Sequence, residues 1–181
     1  MAVLSSTALT GITTRLAGAS MSAGSVIQVV SSVKSDTTSW SSATSKTDTG
    51  LSATITPSSS SSKILMKYVL CVGWSGGNVP QFTVHLDRGG TEIGQGDAGP
   101  ASQKRAHAQT FNYHEANYLA HSFSGSFLDS PSTTSATTYK LQVYTATTGG
   151  TIYINRSARD YDGTHYDSRL SSNLILMEVA A

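Results

Sequence analysis

The sequence predicts an all-β fold, an antiparallel sandwich or jelly roll, preceded by an extended N-terminal arm. Three observations carry that prediction. Short apolar or alternating segments rich in β-branched and aromatic residues recur along the chain, separated by turn signals, and none keeps a helical period beyond a turn or two. Ser and Thr make up about 29% of the 181 residues while charged residues are only 13%, against roughly 25% charged in ordinary globular proteins. The surface is therefore made polar by hydroxyls, with Thr suited to strands and Ser to turns. Third, Thr47–Leu70 (TDTGLSATITPSSSSSKILMKYVL) reads as a strand, a serine turn after Pro57 and a second strand. Such a stretch builds a rigid shell and places little chemistry.

The elements follow in chain order. Residues 1–24 are small and hydroxyl-rich, with little to bury, and read as an extended arm ahead of one domain over 25–181. Ser25–Val33 is the first strand, and Ser35–Lys46 a polar loop holding Trp40. Leu51–Thr56 and Lys63–Trp74 are the strands around the serine turn. Gly76–Asn78 turns the chain, and Pro80 stands at the margin of the strand Gln81–Leu86, where proline is tolerated. Asp87–Gly90 is a turn, Thr91–Gly99 a short strand with a loop, and 100–110 a surface loop. Phe111–Leu119 fits a strand or a short helix equally. His121–Leu128 alternates polar and aromatic residues. Asp129–Ala136 turns, Thr137–Tyr144 alternates again, and Gly149-Gly150 marks a hairpin into Thr151–Asn155. Ser157–Leu170 is a polar loop, and Asn173–Val179 (NLILMEV) a last strand so apolar that it belongs in the centre of a sheet or at a subunit interface.

The motifs that resemble chemistry lack the elements that chemistry needs. Gly73-Trp-Ser75-Gly-Gly77 has nucleophile-elbow spacing, but another strand follows where the elbow needs a helix. Gly94-Gln-Gly96-Asp-Ala-Gly99 has dinucleotide-loop spacing, but Pro100 follows where a helix N-terminus must meet the phosphates. Asp160-Tyr161-Asp162-Gly-Thr-His165-Tyr166-Asp167 gathers metal-type ligands, without the terminal Glu of a calcium loop. The cluster reads first as a surface loop, and the interleaved tyrosines add the alternative of a contact loop, with Tyr161, His165 and Tyr166 as its candidate residues. His85 and His121 fall on predicted strands and read as members of polar faces. Cys71, the one cysteine, excludes an internal disulfide and reads as a buried strand thiol. No catalytic, cofactor or metal site is expected. A formal charge of +1 without a Lys/Arg run points away from nucleic acid and anionic membrane. No segment approaches the length of a membrane span. Residues 1–25 lack the apolar core of a leader, which predicts synthesis and assembly in a cytoplasm.

The series GSVIQVV (Gly24–Val30), TDTGLSATITPSSSSSKIL (Thr47–Leu65), LDRGGTEIGQGDA (Leu86–Ala98), SFLDSPSTTSATTYKLQV (Ser126–Val143) and GGTIYINR (Gly149–Arg156) resembles a family of tailed-bacteriophage virion proteins, common among phages of aquatic bacteria and cyanophages. The resemblance spans about residues 24–181. Relatives are often labelled tail-fibre head domains, and the later segments are similar to the late strands of tumour-necrosis-factor-like jelly rolls. The resemblance implies a homotrimer with an antiparallel jelly-roll head on the particle surface. The chain departs from a fibre in having no repeats and no heptads ahead of the head. The expectation is a non-enzymatic virion protein made in the host cytoplasm: a trimeric capsid decoration (cement) protein, anchored to the major capsid protein or another virion protein through its arm. The trimer would bury Asn173–Val179 or an aromatic row at Phe123 and Phe127. The alternative is a short tail fibre or knob that binds a host-surface glycan through Tyr113, Tyr118, Tyr161 and Tyr166. A polysaccharide hydrolase would need two placed carboxylates, and no pair stands out.

Overall fold

Alternating side chains give each strand one apolar face, and two such faces closed on each other make the core. The computed structural model describes residues 21–76, 81–111, 117–146, 149–163 and 166–181. The fold there is all-β, with antiparallel sheets and no α-helix among the described residues. The strands are β1 (Val26–Lys34), β2 (Thr38–Ser41), β3 (Thr47–Ile55), β4 (Lys63–Ser75), β5 (Gln81–Arg88), β6 (Thr91–Ile93), β7 (Ala108–Phe111), β8 (Ala120–Asp129), β9 (Thr137–Thr145), β10 (Thr151–Ile154) and β11 (Ser172–Val179).

The six-stranded sheet runs β1-β11-β4-β10-β2, with β8 on the free side of β4. The thirteen-residue β4 is its spine: β11 pairs with its first half and β10 with its last four residues. The five-stranded sheet runs β3-β9-β5-β6, with β7 also on β5. Leu51, Ile55, Val84, Leu86, Leu141 and Val143 of the second sheet meet Ile64, Met66, Leu70, Ile152, Leu174 and Leu176 of the first in one buried cluster. The apolar strand β11 lies between β1 and β4, as its sequence predicts.

Four expectations need correction. Trp40 lies not in a loop but on β2, half-buried against the core. The 100–110 loop ends in a strand, β7. Gly149-Gly150 does not close a hairpin: β9 belongs to the second sheet and β10 to the first, so the connection crosses the sandwich. Phe123 and Phe127 do not form an outward aromatic row. Phe123 packs edge-on against Phe82 at 5.1 Å and Phe127 against His107 at 6.2 Å, both inside the subunit. The expected arm falls almost wholly on residues 1–20, outside the described residues. So do the last two residues of the Gly76–Asn78 turn, Pro80 and most of the undecided 111–119 segment.

The serine turn also crosses from one sheet to the other, since β3 and β4 do not pair. Its serines hold Glu178, whose side chain is fully buried at the end of β11. Ser58 donates both its backbone N–H and its hydroxyl to Glu178 Oε1 at 2.7 Å, and Gln28 donates to Oε2. Burial pushes the Glu178 carboxyl up, but the hydrogen bonds from Ser58, Gln28 and Ser62 outweigh it and keep the group below its ordinary value.

Candidate interaction surfaces

The outward face of the first sheet is apolar where a solvated sheet should be polar. Register places Val29 of β1, Met177 of β11, Leu65 of β4 and Leu128 of β8 side by side across four strands. The flanking rows add Val26 and Val179, then Ile175, then Val33 and Val69. Val26, Val29, Val33 and Leu128 are 49–68% exposed, and the others are half-buried. Lys67 and serines of β8 interrupt the patch. A depression of about 440 Å³, lined by Lys67, Val69, Ser124, Ser126, Asn173 and Ile175, opens on it. Four strands about 4.8 Å apart, over four residue rows about 6.8 Å apart, span roughly 20 by 25 Å. That is about 500 Å², over half of the roughly 800 Å² that one side of a standard protein interface buries.

The expected contact loop is built from ion pairs. Arg169 holds Asp160 bidentately at 2.7 Å, with Arg156 beside it at 3.6 Å. Asp167 takes Arg159 and the Ser157 hydroxyl, and Arg159 holds its carboxyl below the ordinary range. These carboxylates are thus committed to arginines and not to a metal. No group of three metal-type ligands occurs among the described residues. Tyr161 and Tyr166 stand 64% and 70% exposed. Arg159 lies over Tyr161 and Tyr118 at 5.4 and 5.5 Å, and Tyr118 meets Tyr166 at 5.8 Å. Two of the three predicted contact residues therefore share one ordered aromatic–arginine patch. The third, His165, lies outside the described residues, as does Tyr113.

The motifs dismissed on sequence have structural explanations. Ser75 sits in β4 with its hydroxyl 3.0 Å from that of Tyr153. Gly73 is needed because a Cβ there would lie 2.3 Å from the Arg156 carbonyl oxygen. Asn155, which follows β10, is fully buried and donates to the carbonyls of Lys34 and Asp36. Cys71 is buried beside Ser122 and the Ser171 carbonyl.

His85 lies on the polar face of a strand, as the sequence predicts, and what the sequence does not show is its burial. It stands on the outward face of β5 but is only 2% exposed. Its Nδ1 donates to Glu92, and its Nε2 accepts from the Thr83 hydroxyl at 2.7 Å. The β5–β6 hairpin places Glu92 opposite Asp87, so the carboxylate reaches His85 one step along the same face. That hairpin register was the available signal. Burial, with Lys46 and Lys104 nearby, pushes the His85 pKa down to about 4. Glu92, which accepts from the imidazole, is itself paired to Lys46. The hydroxyl–imidazole–carboxylate line resembles a nucleophilic relay. An imidazole titrating near 4 is nevertheless a weak base at neutral pH, so the geometry favours a neutral structural histidine.

His85 is accordingly expected to stay neutral well below its ordinary 6.5. Its folded value lies under the unfolded one, so the stability it confers is complete above pH 6.5 and withdrawn as pH falls towards 4. The loss is about 3 kcal/mol. Imidazole NMR titration alongside denaturation at stepped pH checks this, and a His85 midpoint near 6.5 refutes it. No protein-family model matches the chain, and no curated protein matches its sequence.

Proposed function

We propose that the protein is a non-enzymatic, trimeric surface component of a tailed-phage virion, with a tumour-necrosis-factor-like jelly-roll head that decorates the capsid. The observation that carries the reading is the apolar outward face of the first sheet. A monomer would leave Val29, Met177, Leu65 and Leu128 in water together. Three copies closed around an axis would cover that face without leaving an open, polymerising surface. The strand orders support the jelly roll: β1-β11-β4-β8 faces β3-β9-β5-β6, with the chain crossing between sheets at the serine turn and again at β9–β10. The sparse charge and dense hydroxyls suit a subunit crowded against neighbours on a particle. The Tyr118, Tyr161 and Tyr166 patch favours the second reading, a short tail knob that docks a host glycan, since exposed aromatic rings stack on sugars and contact surfaces alike.

Copy number per purified particle separates the two: hundreds of copies support capsid decoration, a few dozen or fewer support the knob. A phage lacking the gene should lose DNA-filled heads on heating if the protein is a cement, because a ligand of the assembled shell stabilises it by mass action. Heat-stable heads with lost adsorption would reject decoration.

A further inference from the structure

Across the sandwich from the apolar face, the second sheet carries a polar cleft. Two cavities of about 380 and 320 Å³ adjoin there, sharing Gln103, Lys104 and Tyr144. Together they have the dimensions of a small-ligand site. The first is floored by His85 and Glu92, already tied to each other and to Thr83 and Lys46. Those groups form a preorganised base with their hydrogen-bonding capacity largely spent. The wall is different. Lys104 and Arg105 are exposed on the loop over the cleft. Lys104 rests over the Tyr144 ring at 5.2 Å, and Arg105 uses its Nε on the Gly96 carbonyl. Neither takes part in an ion pair among the described residues, so the rim holds two cations whose charge-assisted donors are open to a ligand.

We infer that this cleft binds a carboxylate-bearing saccharide. Lys104 and Arg105 supply charge-assisted donors for the carboxylate. Tyr144 offers a ring face for the apolar side of a pyranose once Lys104 turns from it to the carboxylate, and the amides of Gln103 and Gln109 both donate to and accept from sugar hydroxyls. Asp97, on the wall of the second cavity, can only accept. It therefore suits a hydroxyl-bearing ligand and disfavours a bare multivalent anion. The site is remote in the fold from the apolar face and the Tyr161 loop, being built on β5, β6 and β9 instead. Its occupancy does not depend on whether the chain trimerises or sits on a virion.

Calorimetric titration of the intact protein with a glucuronate-containing oligosaccharide, a neutral glucan of equal length and sodium sulfate tests the inference, with oligomeric state measured in parallel. The uronate is expected to bind and the glucan not, with affinity falling as salt rises. Lys104→Ala and Arg105→Ala should each weaken binding about tenfold or more. Both positions are exposed, so the fold should be retained. Tyr144→Ala should weaken it too, and uronate should shift the His85 ring resonances. Equal binding of glucan, sulfate binding as tight as the uronate, or no uronate binding at millimolar concentration would each overturn the assignment. So would a uronate affinity untouched by the Lys104 and Arg105 substitutions.

Discussion

Asp129→Ala is expected to lower unfolding free energy by about 3–5 kcal/mol. Asp129 ends β8 on the first sheet and is 5% exposed. Both carboxylate oxygens take Nη1 of Arg88, at 2.9 and 3.0 Å, and Oδ2 also accepts the Tyr139 hydroxyl at 2.7 Å. Arg88 and Tyr139 belong to β5 and β9, so one side chain ties the two sheets together at this end of the sandwich. Tyr139 is fully buried, and burial with the adjacent carboxylate pushes its phenol well above the ordinary value. Truncating Asp129 leaves that hydroxyl without its acceptor and leaves Arg88 only the Ser130 carbonyl, at 3.4 Å. Orphaning both partners costs more than the net worth of the pair. Asp129→Asn should cost less, since the amide oxygen still accepts from Tyr139. In Tyr139→Phe with Asp129→Ala, the loss should fall short of the sum of the single losses, because the hydroxyl is no longer stranded. Urea unfolding at fixed protein concentration measures all three. A loss below about 1 kcal/mol for Asp129→Ala would show that water reaches the site.

Those connections explain what the sequence reveals and what it hides. Strands such as β4, β9 and β11 are legible because alternation and β-branching are local properties. β2 is not, because Trp40 stands alone among Ser and Thr and its burial depends on β10 beside it. The β9–β10 connection has the glycines of a hairpin, but which sheet receives β10 is decided by pairing with β4 and β2, far away in sequence. The serine turn looks generic until Glu178, 120 residues on, is placed beside Ser58. At the sites, exposure of Tyr161 and Tyr166 is legible because a polar loop without apolar neighbours has nowhere to bury them. The burial of His85 is not, because two of the groups packed on it, Glu92 of β6 and Tyr144 of β9, come from other strands. The outward apolar face is half-legible. NLILMEV is apolar on both sides, and one subunit supplies cover for only one of them.

That unmatched side makes Met177→Asp the sharpest test of assembly. Met177 lies in the central row of the outward face, between Val29 and Leu65. It points away from the core that Leu174 and Leu176 fill, so the isolated subunit should keep its fold and its circular dichroism. In a trimer the same substitution places three carboxylates in a desolvated, largely apolar contact, where Lys63 and Lys67 on the same face of β4 offset only part of the cost. Each unpaired buried charge costs about 2–5 kcal/mol, enough to weaken association about 30-fold or more per copy. Sedimentation at micromolar concentration should find wild-type trimers and Met177→Asp monomers, with a lower, concentration-independent thermal midpoint. Leu65→Asp, beside it on β4, should act the same way. Tyr166→Ala, on the remote loop, should leave the trimer intact. A wild-type monomer at these concentrations removes the trimer outright. A Met177→Asp trimer moves the interface elsewhere, and the apolar face then needs a different partner, with the capsid surface itself the next to be tested by binding the purified variant to undecorated heads.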